Sequence, residues 1–63
     1  MSKHLNNTDY PIIKLALSLR YYQHTVAAYF GVNQGRISEF KRSAFYRVCP
    51  MAAMLPLGFP PRP

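Results

Sequence analysis

From residue 10 onward the apolar positions recur at helical spacing. Ile12, Ala16 and Leu19 form one such series, and Ile13 with Leu17 forms a second. Thr8 or Asp9 is placed to cap this segment, because a short side-chain oxygen accepts from the free N–H groups of a first turn. Pro11 then falls where a missing N–H costs little. The spacing predicts a first helix over about 10–20. A second follows over about 23–30, with Val26, Ala27 and Phe30 at i, i+1 and i+4 on one apolar face. Gly31 ends it, since glycine takes the left-handed conformation without a Cβ penalty. Asn33 is a strong N-cap for a third helix beginning at Gln34. Ile37, Phe40 and Ala44, at i, i+3 and i+7, extend that helix to about Arg47, because Pro50 disfavours helical backbone at Cys49. Few residues are β-branched and nothing alternates, so no strand is expected.

The remainder has another character. Residues 1–8 are polar and read as a flexible N-terminus, ahead of a helical domain over 9–48. Residues 49–63 form an apolar, Pro-rich arm holding five of the six prolines. Met51 to Leu55 has room for one short helical turn; beyond Pro56 an extended, polyproline-like course is expected. Met51, Met54, Leu55, Leu57 and Phe59 are too apolar for a free linker. Either the arm folds back over the first two helices, or it docks on a second copy. The second course is favoured, giving a homodimer. The expected fold is therefore all-α, a three-helix core followed by a largely irregular arm.

Size and charge narrow the function. A chain of 63 residues makes one small domain, burying only about 60% of the surface its unfolded form exposes, so a large catalytic cleft is not expected. Lys and Arg total 8 against 2 acids, a net charge of +6. That balance favours a polyanion, meaning nucleic acid or an anionic membrane. Hydrophobic residues reach 49% and charged residues only 16%, which excludes a polybasic disordered tail. The single cysteine, Cys49, allows no intrachain disulfide and reads as a small hydrophobe in a reducing cytoplasm. His4 and His24 are far apart, and no CxxC or HxxxH pair exists, so neither metal nor cofactor is expected. No apolar run is long enough for a membrane span, and the N-terminus lacks the apolar stretch of a secretory signal.

The helices flanking Gly31-Val32-Asn33 carry the chemistry. Two short helices joined by a three-residue turn containing glycine make a helix-turn-helix layout. Ala27 is small where steeply crossing helices approach, and Val32 with Ile37 plugs the interior angle. The segment Thr25 to Arg42 resembles the helix-turn-helix of bacterial and phage DNA-binding regulators. Val26-Ala27, Phe30-Gly31-Val32-Asn33-Gln34, Ile37-Ser38 and Phe40 match that pattern. The resemblance implies a transcriptional regulator, a repressor in the leading reading, in the nucleoid-associated cytoplasm. It implies base contacts from Gln34, Gly35, Ser38 and Glu39, with Arg36 a further candidate turned more toward a phosphate. Gln23 and Asn33 at helix starts, and Lys41, Arg42 and Arg47 further along, would touch phosphates. The chain departs from the family on helix 2, where His24, Ala28 and Tyr29 replace the usual charges and call for a covering partner or tail.

Each of these residues also has a plainer explanation. The basic residues can form a solvated face, Glu39 can balance Lys41 and Arg42, and a first turn tolerates Gly35. The tyrosines, Tyr10, Tyr21, Tyr22, Tyr29 and Tyr46, suit packing with a wet hydroxyl better than stacking on single-stranded bases. Two carboxylates, no Ser-His-Asp spacing and no phosphate-cradling loop argue against an enzyme, and no small-molecule substrate is evident. The competing readings are a DNA-binding accessory or architectural factor of a mobile element, a protein-interaction module on the same scaffold, and a basic membrane-active peptide.

Overall fold

The computed structural model describes residues 5–61. Four helices follow in order: α1 (Asp9–Ser18), α2 (Gln23–Phe30), α3 (Gln34–Arg42) and α4 (Ala44–Val48). The described residues contain no strand, so the fold is all-α. The part of the expected flexible N-terminus at residues 1–4 lies outside the described residues; Leu5 packs against the core.

The capping of α1 differs from the expectation. Thr8 occupies the cap position but has helical backbone angles and makes no side-chain bond. Asp9, one residue inside, accepts instead from the Asn6 N–H through Oδ2 at 2.9 Å. Its carboxylate also meets the positive end of the helix. At the other end α1 stops at Ser18, short of residue 20. Arg20 takes φ 70°, the left-handed region. The Arg20 N–H donates to Leu17 O and the Tyr21 N–H to Ala16 O, both at 3.1 Å. This is the crossed pair of a Schellman motif, satisfied here without glycine. Nothing in the sequence signals it, since an L side chain in that region costs about 1–2 kcal/mol. Arg20→Gly should therefore raise stability by about 0.5–1 kcal/mol, the relief exceeding glycine's entropic cost. A lower thermal midpoint by circular dichroism would contradict this.

The largest correction concerns the third helix. It ends at Arg42, and Arg47 lies on the separate α4, so three expected helices are four. Ser43 makes the break. Its backbone is extended (φ −82°, ψ 157°), ending α3 and starting α4 at one residue. Its Oγ donates to Phe40 O at 2.7 Å and accepts from the Tyr46 N–H at 3.3 Å. A serine hydroxyl thus replaces the ladder bonds a continuous helix would have made. Ala44, periodic with Ile37 and Phe40 in sequence, is exposed beyond the break.

The core is built from α1, α2 and α3, with Tyr46 of α4 and both ends of the described chain packed against it. Ile13 and Ala16 of α1, Val26 and Ala27 of α2, and Ile37 and Phe40 of α3 are buried together with Tyr21 and Cys49. Cys49 is thus a packed residue. Its carbonyl accepts from Lys14 Nζ at 2.7 Å, and Arg47 O accepts from the same amine at 3.5 Å. Lys14 also sits 5.2 Å from the centre of the Tyr46 ring. One of the eight cations of the chain is therefore committed to closing the end of α4.

The arm folds back rather than leaving the core bare, the course the sequence reading did not favour. The Ala52 N–H donates to Pro11 O at 3.1 Å, and Tyr21 Oη donates to Pro60 O at 2.6 Å. Phe59 lies 4.5 Å from Tyr29, 5.2 Å from Tyr21 and 6.4 Å from Phe30, centre to centre. The tail thus reaches α2 at Tyr29 and Phe30, while His24, Ala28 and part of Tyr29, where charges were missing, stay exposed. No helical turn forms over Met51–Leu55. Instead a turn at Pro56–Phe59, closed by Phe59 N–H to Pro56 O at 3.2 Å, aims Phe59 inward. Gly58 has φ 84° there, the third position of a type II turn, where glycine is favoured.

Candidate nucleic-acid interface

The turn between α2 and α3 sets the site. Gly31 takes φ 70° just past α2. Its N–H donates to Ala28 O, and the Val32 N–H donates to Ala27 O at 3.0 Å. Val32 is thereby turned against the core. The chain extends at Asn33 (φ −69°, ψ 141°), whose Oδ1 accepts from the Gly35 N–H at 2.8 Å and opens α3. These paired signals, left-handed glycine then capping asparagine, redirect the chain within three residues.

Burial then sorts the side chains of α3. Ile37 and Phe40 face inward against α1 and α2. At about 100° per residue, Gly35, Ser38, Glu39 and Arg42 form the opposite stripe. Gln34 and Lys41 lie on one flank and Arg36 on the other. Gln34, Gly35, Arg36, Glu39, Lys41 and Arg42 are exposed, and Ser38 is half-buried. Of the five residues assigned to base edges, Gly35, Ser38 and Glu39 therefore share the outer stripe, while Gln34 and Arg36 flank it on opposite sides. Lys41 and Arg42 occupy its last turn, and no acid stands in its first turn, leaving the positive end of the helix uncompensated. Arg42 bends back along the helix, its Nε donating to Ser38 O at 3.4 Å.

The other assigned residues sit on separate elements. Gln23 opens α2 and is half-buried beside the exposed Tyr22–His24 stack, whose rings are 5.4 Å apart. Asn33 spends Oδ1 on its cap, so its Nδ2 is the end available to an anion. Arg47 is exposed on α4, past the Ser43 break.

Two surface features were not evident from local spacing. An open polar depression of about 390 Å³ is lined by Asn33, Gly35, Arg36 and Glu39. Arg36 Nη1 lies 3.6 Å from Glu39 Oε1 along its edge. Next to it a groove of about 410 Å³ runs past Leu5, Tyr10, Phe40, Ser43 and Phe45. Tyr10 contacts Phe40 at 4.8 Å and Phe45 edge-on at 5.5 Å. This groove exists only because α4 turns back toward α1, which a continuous third helix would prevent.

Among the described residues no group of three His, Cys, Asp or Glu side chains is arranged to hold a metal ion. None of the described helices is long and apolar enough to cross a membrane. Comparison with protein-family models, with curated proteins and with solved structures finds no match to this chain.

Proposed function

We propose that the chain is a small regulator that binds double-stranded DNA sequence-specifically through a helix-turn-helix formed by α2 and α3. In this reading α3 enters the major groove and reads bases from Gln34, Gly35, Ser38 and Glu39, with Arg36 beside them. Gln23, Asn33, Lys41, Arg42 and Arg47 hold phosphates, and repression follows from occupying a promoter site. The supporting observation is the combination at α3: Ile37 and Phe40 are buried while the polar residues around them project outward. A helix that served only the core needs neither a bare glycine nor a cluster of basic residues on its exposed side. Net charge +6 supplies the attraction for polyphosphate.

Substitution separates reading from holding. Gln34→Ala should cost about 1–3 kcal/mol on a preferred duplex and little on random duplex. Lys41→Ala should weaken both alike and lower the salt slope by about 0.9. Fluorescence anisotropy against preferred and random duplexes over a salt series measures both. Equal losses on the two duplexes for Gln34→Ala would contradict base reading.

A homodimer belongs to the same proposal, because one small module makes few contacts and two read paired half-sites. Its support is that Val48, Met54 and Leu57 are 77%, 76% and 101% exposed after the arm has folded back. Met54→Ser with Leu57→Ser should shift sedimentation toward monomer at unchanged melting temperature. A wild-type chain that is monomeric at every concentration would remove the dimer from the proposal.

A further inference from the structure

The chain has only two acids, and one of them is placed where a DNA-binding surface should not want it. Asp9 is accounted for by its bond to the Asn6 N–H and the start of α1. Glu39 lies on the outermost stripe of α3, the helix that also carries Arg36, Lys41 and Arg42. Its partner is Arg36, at 3.6 Å, with the two side chains 65% and 64% exposed. A surface pair this open contributes little to folding. Against a duplex, a carboxylate on this stripe repels every phosphate backbone alike. On a DNA-reading helix that placement is repaid by duplexes that offer the carboxylate a donor, and not by others.

The chemistry of the pair says which ones. The major-groove edge of a G·C pair presents two acceptors, guanine N7 and O6, followed by one donor, cytosine N4. O6 and N4 are themselves joined by a base-pair hydrogen bond, hence about 2.9 Å apart. Arg36 and Glu39 offer a donor fork and an acceptor side by side at comparable separation. An A·T edge alternates acceptor, donor, acceptor, which gives an arginine fork no adjacent acceptors. Room for a base edge exists in front of the pair. A Cβ built at Gly35 meets only Asn33 Oδ1, at 3.3 Å, so apart from that cap the depression is uncrowded at Gly35.

Resting on the proposed DNA reading, we infer that Arg36 and Glu39 form one reading unit selecting a single G·C base pair, Arg36 on guanine N7/O6 and Glu39 on cytosine N4. This gives Arg36, until now only a further candidate beside the base-reading residues, a defined base and a defined partner side chain. It also gives Glu39 a second effect, that of lowering affinity for all other DNA.

The test is selection of bound sites from a randomised duplex pool by the full wild-type chain, Arg36→Ala, Glu39→Ala and the double variant. Binding to one random duplex is measured in parallel. The wild type should enrich a site with a fixed G·C pair, and both single variants should lose preference at that same position. The double variant should be no worse there than either single one. Glu39→Ala should bind the random duplex roughly threefold to fivefold more tightly, the effect of about 1 kcal/mol of surface repulsion removed. Relaxation at two different positions, at none, or weaker random binding by Glu39→Ala overturns the inference and leaves the DNA reading standing. Failure of the wild type to enrich any sequence overturns both. Unchanged melting temperatures for the variants exclude misfolding as the cause.

Discussion

A chain cut after Val48 is expected to lose its cooperative thermal transition. The cut removes buried Cys49 and with it the carbonyl that accepts from Lys14 at 2.7 Å. It removes Leu55 and Phe59 from the core boundary, the Ala52 tie to Pro11, and the bond from Tyr21 Oη to Pro60. Tyr21 is among the buried residues, so its hydroxyl would lose its partner and its ring the edge contact of Phe59. Each large apolar side chain taken from a core costs about 1.5–3 kcal/mol. A chain of 63 residues has a total stability on the order of 3–9 kcal/mol. Losing two such side chains, a buried cysteine and these tethers takes most or all of it. Circular dichroism melts of full and cut chains measure this. A cut chain melting within a few degrees of the full one would mean the arm is ornamental. It follows that truncation is a poor test of self-association, because it unfolds what it should compare; the exposed Met54 and Leu57 are the better handles.

The second large effect falls on binding alone. Gly35→Ala should lower affinity for a preferred duplex about tenfold or more, equivalent to about 1.4 kcal/mol, without lowering the melting temperature. Gly35 has no positive φ, and its added Cβ meets only the Asn33 Oδ1 atom at 3.3 Å. The cap shifts by a few tenths of an ångström, while alanine's better helix propensity offsets that cost. Structure thus gives little reason for glycine at this position. Close approach of the backbone to a base edge does. Undiminished affinity in Gly35→Ala would return the residue to a tolerated accident of the first turn. A lower melting temperature together with lower affinity would place its role in the Asn33 cap.

The difference between these two predictions tracks what could be read from the residues. The start of α3 was legible because its signals are local: a left-handed glycine, a capping asparagine, then Ile37 and Phe40 at helical spacing. Its outer stripe follows from the same period. The Ser43 break was not legible, because Ala44 continues the spacing and the competing hydroxyl bond depends on the Phe40 carbonyl being within reach. The Arg20 turn hides for a related reason, since it uses a residue type the conformation disfavours. Composition showed that the arm needed cover. Its course depends on Phe59 meeting Tyr21 and Tyr29, contacts between distant parts of the chain that no spacing encodes. The Arg36–Glu39 pair sits at i and i+3, so its proximity was readable; the space in front of it was not.

The central claim is that the polar side of α3 is the surface that meets DNA. Amide chemical shifts of isotopically labelled full-length chain, followed while a selected duplex is titrated in, test it most directly. The largest changes are expected from Asn33 to Arg42 and at Gln23 and Arg47, with the start of α1 left nearly unchanged. Changes concentrated on the arm or on α1, with α3 silent, would contradict it.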